Sequence, residues 1–190
     1  MNFIEEYFLE DITLCDKLID YFENSEEKHP GITGHQRVIK EIKDSTDVTI
    51  FPENFSDIRE YFNQLDICVQ KYIEKYPACN AYSPWAISEC AVMKRYYPGQ
   101  GYHAWHCERS GEMNPVCNRH LVFMTYLNDV TNGGGTEFLL QNKTFTSVKG
   151  KTLIWPADWT HTHRGVVSET QTKYIISGWF NYLPLELSQG

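Results

Sequence analysis

Along the first 26 residues, apolar side chains recur at helical spacings: Phe3, Ile4, Tyr7, Phe8, Ile12, Leu14, Leu18, Ile19 and Phe22. The spacing predicts two helical pieces, about 3–9 and 13–26, the second opened by Thr13 with Asp16 at the capping-box position. His29-Pro30-Gly31 ends this element. Val38, Ile39 and Ile42 are too few to set a period, and Lys43-Asp44-Ser45-Thr46-Asp47 reads as a loop or a short pairing segment. From Ser56 to Tyr76 the stripe Ile58, Tyr61, Phe62, Leu65, Val69, Tyr72 and Ile73 predicts a longer helix that Pro77 closes. The front half is therefore expected to be helices covering one side of a sheet.

After Pro84 the texture changes to short runs rich in Val, Ile, Thr, Tyr and Trp, separated by Gly, Pro or Asn. Candidate strands are 86–96, 102–107, 118–127, 136–140, 144–148, 152–155, 162–167 and 173–181. The stretch from Asn128 to Gly135 reads as a flexible turn, and Val148-Lys149-Gly150-Lys151 punctuates two strands. Short strands with such turns predict a mainly β chain: a double-stranded β-helix, or jelly roll, with the N-terminal helices packed outside. The length of 190 residues suits one domain, with helical support over about 1–85 and a core over about 86–182.

Composition narrows the function classes. Seventeen Lys and Arg against 25 Asp and Glu give a net charge of -8, with no basic block, which argues against nucleic acid as a partner. No apolar run reaches the length of a bilayer span, so no membrane partner is expected. The acidic start Met1-Asn2-Phe3-Ile4-Glu5-Glu6 is unlike a secretion signal. Six scattered cysteines without a Cys-x-x-Cys pair then fit free thiols in the cytoplasm.

The candidate chemistry lies between Tyr96 and Lys173. His106 and Glu108 are two residues apart, so on a strand they share a face and one metal ion can take both, while Cys107 points away. Cys107 is a soft alternative ligand, but its parity puts it against the neighbouring sheet, where a small buried thiol is the better explanation. A third ligand comes from the segment around His161 and His163, which have the same strand parity, so periodicity does not choose between them. Asp158 reads as a turn residue. Two imidazoles and one carboxylate leave about half an octahedron open, the arrangement of non-haem Fe(II) oxygenases, whereas zinc prefers four ligands. A jelly-roll protein that binds metal without catalysis is the competing reading.

From Tyr96 onward the chain resembles the prolyl 4-hydroxylase type of the iron(II)/2-oxoglutarate-dependent dioxygenases. The strings that carry the likeness are Tyr96-Tyr97-Pro98-Gly99-Gln100-Gly101-Tyr102, His106-x-Glu108, Thr125-Tyr126-Leu127-Asn128-Asp129, Gly134-Gly135-Thr136-Glu137-Phe138, Lys149-Gly150-Lys151, His163-Arg164-Gly165 and Lys173-Tyr174 ahead of Trp179. They span about 86–182. The family places a basic residue about ten positions after its distal iron histidine, to pair with the far carboxylate of 2-oxoglutarate. His163 and Lys173 have that separation. The resemblance thus implies His106, Glu108 and His163 as catalytic metal ligands and Lys173 as the cosubstrate anchor. It also assigns Tyr97 and Tyr126 to the cosubstrate pocket, and leaves Trp179 to packing or to the pocket wall.

Two departures stand out. The family usually has His-x-Asp, and Glu108 is longer by one methylene, so its backbone must retreat or its rotamer change to reach the metal. Tyr102 stands four residues before His106 where three is usual, which a bulge would accommodate. The resemblance implies Fe(II), with 2-oxoglutarate and O2 as cosubstrates and ascorbate in support. Hydroxylation would be coupled to conversion of 2-oxoglutarate to succinate and CO2. A prolyl residue in a protein or peptide is the family-weighted substrate; another side chain or a small molecule is the alternative. Segments 109–117 and 31–54 are candidate substrate walls.

Overall fold

The computed structural model describes residues 1–33 and 37–183. In chain order its regular elements are β1 (Glu5–Phe8), α1 (Thr13–Asn24), β2 (His29–Pro30), β3 (Lys43–Asp44), β4 (Thr46–Ile50), α2 (Arg59–Lys75), β5 (Trp85–Ala86), β6 (Ala91–Tyr96) and β7 (Gly101–Tyr102). These are followed by β8 (Arg119–Tyr126), β9 (Thr136–Phe138), β10 (Lys143–Phe145), β11 (Lys151–Pro156), β12 (His163–Gly165) and β13 (Lys173–Tyr182). The large sheet runs β1-β11-β8-β13-β6-β4-β2, with β5 beside β13; a small sheet, β10-β9-β12, faces it, and β3 pairs with β7. This is the expected jelly roll, built from antiparallel pairs.

Alternation along the strands divides the large sheet into two faces. Val48, Met93, Phe123, Ile154, Ile176 and Phe180 point outward into the core shared with α1 and α2. Val122, Met124, Tyr126, Leu153, Trp155 and Ile175 point inward, toward Phe138 and Phe145 of the small sheet. The helices sit outside, as the apolar stripes predict. Their stripe residues Leu14, Leu18 and Phe22, and Tyr61, Leu65, Val69 and Tyr72, are all buried.

The N-terminal segment departs from expectation. Residues 3–9 are not helical: Glu5–Phe8 is an edge strand, pairing Glu5 with Ile154 and Phe8 with Lys151. Phe3 has φ 57°, a left-handed conformation that a right-handed helix cannot pass through. Nor does Thr13 cap α1. Asp11 accepts from the Thr13 amide at 2.9 Å and from its hydroxyl at 2.5 Å, and Asp16 pairs with Lys149 at 2.7 Å. The segment 43–50 pairs twice, β3 with β7 and β4 with β6, and His29–Pro30 is a strand against β4. The front half therefore contributes strands to both edges of the large sheet besides its helices. No described helix is long and apolar enough to cross a membrane.

Candidate metal centre and cavity

The two sheets enclose an open-mouthed cavity of about 1100 Å³. Its walls come from both halves of the chain: Asp47 and Thr49 of β4, Val92, Lys94 and Tyr96 of β6, and Lys173, Ile175, Ser177 and Trp179 of β13. Each set is one parity of its strand. Ile32, Val38 and Phe51, and Ser110, Glu112 and Val116, also line it, so both candidate wall segments reach the cavity. Residues 34–36 of the first segment lie outside the described residues. A second depression of about 810 Å³, beside α2 on the outer face, holds no metal-ligating cluster among the described residues.

At one end of the cavity, ligand atoms of His106, Glu108 and His163 lie within 4.8 Å of one another. Strand parity is not what aligns the first two, because regular β7 ends at Tyr102. Instead His106 forms an isolated antiparallel bridge with His163: each amide donates to the other's carbonyl, at 3.0 and 2.9 Å. Glu108 follows in a loop pinned by its amide to the Ala157 carbonyl at 3.1 Å. The expected strand over 102–107, with its bulge, is thus a two-residue strand followed by a bridged loop.

The hydrogen bonds of the rings decide what the cluster can hold. Nδ1 of His106 faces the Ala104 carbonyl at 3.0 Å, and Nδ1 of His163 faces the His161 carbonyl at 2.9 Å. A carbonyl only accepts, so in the neutral rings both Nδ1 atoms carry the proton and both Nε2 atoms present lone pairs. Those Nε2 atoms lie 3.5 and 3.4 Å from Glu108 Oε1. Burial, followed by the neighbouring His106, pushes His163 below its usual pKa, which favours that neutral form. Two lone pairs and an anionic oxygen facing one another invite a cation between them. Metal–ligand bonds of about 2 Å put adjacent octahedral donors about 3 Å apart, close to the spacing here. The residues fit a divalent metal.

The surroundings fix this geometry. Tyr102 stacks on the His106 ring, with centroids 3.6 Å apart and planes 7° from parallel, and His163 lies against Trp155 and Phe138. The Trp179 indole donates to Glu108 Oε2 at 2.9 Å. Arg119 donates to the Glu108 carbonyl at 2.9 Å, stacks on Trp179 at 3.6 Å, and forks onto both oxygens of Glu89 at 2.9 and 2.7 Å. Burial would raise the Glu108 carboxyl, but its contacts with His106 and His163 outweigh this and hold it well below the usual range. The longer side chain of Glu108 thus has its own bracket.

At the opposite end of the inner row of β13, Lys173 is buried with its Nζ 4.7 Å from the centre of the Tyr96 ring. Burial first, and Lys94 second, pull its pKa down to about 8. Lys94 is drawn to about 8 as well, by burial and then by Lys43, and its amine donates to the Ser177 hydroxyl. Among the described residues neither lysine has a carboxylate partner, whereas Lys43 is paired with Asp47 at 2.5 Å.

The structure keeps the remaining candidates out of the metal cluster, and all but Cys107 out of the cavity lining. Tyr97 is 47% exposed and lies under the Arg95 guanidinium, 4.3 Å from ring centre; its neighbour Tyr96 faces the cavity instead. Tyr126 is fully buried, and its hydroxyl donates to Thr136 at 2.8 Å, leaving Thr136 to border the cavity. His161 sits in a short 3-10 turn, where its Nε2 meets the Asn2 carbonyl at 2.9 Å, away from the cluster. Cys107 borders the cavity with its thiol donated to the Arg109 carbonyl, and Asp158 pairs with Arg109 at 3.3 Å. Sequence reasoning missed Lys94 and Arg119. The parity Val92-Lys94-Tyr96 was a usable signal for the first, while Arg119 offered none.

Residues 91–181 match the family model of the 2OG-Fe(II) oxygenase superfamily. No curated protein matches the chain by sequence. Among solved structures, a viral collagen prolyl hydroxylase from Paramecium Bursaria Chlorella virus-1, in its 2OG complex, aligns with TM-score 0.72 and 17% identity over 95% of this chain and 97% of that one. A Trichoplax adhaerens prolyl hydroxylase, in complex with a hypoxia inducible factor peptide fragment, aligns at 0.74 and 19% over 96% and 84%. A Pseudomonas putida prolyl-4-hydroxylase aligns at 0.70 and 16% over 97% and 95%. Residues 91–181 accordingly match the 2OG-Fe(II) oxygenase superfamily, and the chain shares its fold with prolyl 4-hydroxylases.

Proposed function

We propose that the chain is an Fe(II)- and 2-oxoglutarate-dependent hydroxylase in which His106, Glu108 and His163 hold the metal and Lys173 binds the far carboxylate of the cosubstrate. The observation that carries this reading is the convergence of two Nε2 lone pairs and one carboxylate oxygen at the end of a cavity that also contains a buried lysine without a carboxylate partner. Iron and 2-oxoglutarate, when bound, supply oxidation of a C–H bond by O2 coupled to decarboxylation of the oxo acid to succinate and CO2.

The protein's own part is placement. The Ala104 and His161 carbonyls fix the tautomers of the two imidazoles. Trp179 occupies one Glu108 oxygen and leaves the other to the metal. Lys173 offers a point charge in a low-dielectric wall, sufficient for one carboxylate. No side chain is asked to act as a general base. A single domain is supported by β4 and by Ile32, Val38 and Phe51, which line the same cavity as the metal end on the 91–181 region.

A prolyl residue in a protein or peptide is the substrate this reading favours, supported by the fold shared with three prolyl hydroxylases. The test is His163→Ala. Iron binding by the purified protein and succinate formation from 2-oxoglutarate should both be lost; retention of both would overturn the assignment. Metal uptake by the wild type without any succinate formation, across a panel of prolyl peptides, would instead favour a metal-binding jelly roll.

A further inference from the structure

One cation on the inner face has no task in the proposed chemistry. Lys94 lies on β6 opposite Asp47 of β4 and Ile175 of β13. Asp47 is not free to neutralise it: Lys43 takes one carboxylate oxygen at 2.5 Å and Ser45 the other at 2.7 Å. Glu89 is likewise held by Arg119 and Asn181. The Lys94 amine donates instead to the neutral Ser177 hydroxyl. Along the inner row of β13 the order is Lys173, Ile175, Ser177, Trp179, and Trp179 touches Glu108. Held at Ser177, one residue pair or about 7 Å short of Trp179, Lys94 stands nearer the metal end than Lys173 does.

The charges sharpen the point. Fe(II), the Glu108 carboxylate, a 2-oxoglutarate dianion and the Lys173 ammonium balance to zero. With both reactants in place, Lys94 is left as a cation in the cavity wall that feels Asp47 and Glu108 only as carboxylates already engaged elsewhere, a costly arrangement unless something else brings an anion. We infer that Lys94 anchors a carboxylate of the substrate itself, so that the molecule hydroxylated is an acid presenting its carboxylate beside Ser177. This rests on the reading of the site as an iron and 2-oxoglutarate centre. The carboxylate can belong to a free amino acid or other small acid, or to a peptide through its C-terminus or an acidic side chain.

The test uses the full chain loaded with Mn(II) and 2-oxoglutarate, where ligand binding is followed by tryptophan fluorescence without turnover. Free L-proline and a panel of other L-amino acids are each titrated beside their carboxamides. Peptides ending in proline are titrated with free and amidated C-termini, and internal prolyl peptides with Asp or Asn beside the proline. At least one acid should bind about tenfold or more tighter than its amide, as expected when a buried charge pair is lost. The Lys94→Met and Lys94→Gln variants should reduce that preference to about twofold or less, and Lys94→Arg should retain it. Preference among the free acids identifies the first source, and preference among the peptides the second.

Equal binding of acids and amides throughout, including no binding by any probe, overturns the inference. So does a preference that survives in Lys94→Met. If Lys94→Met weakens 2-oxoglutarate binding as much as Lys173→Met does, Lys94 serves the cosubstrate and the inference also falls. Failure of the Mn(II)-loaded wild type to bind 2-oxoglutarate at all would locate the error in the reading of the site, and would take this inference with it.

Discussion

The two faces of the large sheet are made by the same strands, residue by alternate residue, yet they obey different physics. On β13, Ile176 and Phe180 face the helices while Lys173, Ser177 and Trp179 face the cavity. On β6, Met93 faces outward and Lys94 inward. The outer face is an apolar core in which Phe123, fully buried, meets the rings of Tyr61, Phe62 and Phe180. The inner face holds Lys43, Asp47, Lys94, Glu108, Arg119 and Lys173 around an open space. Burial stabilises the first face, whereas the second, beyond the Lys43–Asp47 and Arg119–Glu89 pairs, carries desolvated charge at Lys94, Glu108 and Lys173 that is left for metal, cosubstrate or substrate to offset. One face therefore sets stability and the other sets binding.

The most severe challenge to that division is Phe123→Ala. Removing a fully packed ring should cost about 3–5 kcal/mol of unfolding free energy in urea titration. The fraction that stays folded should keep its metal affinity, since the Phe123 side chain points away from the cavity into the core shared with the helices. The ring also covers Gly178, where an added Cβ would stand 2.4 Å from its tip, so Gly178→Ala should fail in the same way. A selective loss of metal binding without loss of stability would show that the faces are not independent.

Lys173→Met probes the other face. It should weaken 2-oxoglutarate binding by about 2–5 kcal/mol in calorimetry, the cost of leaving a buried carboxylate unpaired. The ligand-free protein should melt no lower than the wild type, because a buried charge without a carboxylate partner has been replaced by an apolar chain of similar length. Equal losses of stability and binding would make Lys173 a structural residue.

A smaller effect is expected at Trp179, which belongs to the inner row but looks like core in the sequence. Trp179→Phe keeps an aromatic wall and removes the donor to Glu108. Iron affinity should fall about 10- to 100-fold, with Arg119 still holding the loop. No change would mean that the Glu108 bracket does not depend on the indole.

How much of this was legible beforehand follows from the range of the forces involved. The strands of the second half follow from their short apolar runs and turns, and the outside position of the helices from their apolar stripes, all local signals, whereas Lys173 is reached only through the family likeness. The strand at Glu5–Phe8 was not legible, because four residues carry no period of their own and their pairing partner lies at 151–154. The likeness points to Tyr97, whereas the cavity is lined by Tyr96, because a likeness fixes a string and not the end of a strand. Tyr96 pairs with Lys173 as the last residue of β6, and the next residue turns out to solvent. His106 and Glu108 converge as expected, but through a bridge to His163 and an amide bond to Ala157, both contacts between distant segments. The same distance hides Arg119, which reaches Glu108 only after β8 is in place.

The pH dependence of the two faces separates them most finely. An apolar substitution such as Phe123→Ala should lower stability by the same amount at every pH, since no proton is gained or lost. Lys173 behaves otherwise, because its folded pKa is depressed from 10.5 to about 8. Below about 8 the amine is charged in both the folded and the unfolded chain, and its burial penalty is present in full. Between about 8 and 10.5 the unfolded state holds the proton and the folded state has released it, so stability rises with pH across that window. Lys94, also near 8, contributes in the same direction, so Lys173→Met should remove part of the rise and a double substitution with Lys94→Met the rest. Cosubstrate binding runs the opposite way, because it needs the ammonium. Affinity for 2-oxoglutarate in the wild type should decline by up to about tenfold per pH unit above about 8, as one proton is taken up on binding. In Lys173→Met that decline should vanish. A wild-type affinity that holds level to pH 10 would mean that the lysine keeps its proton in the empty cavity, and that the inner face is better solvated than its burial implies.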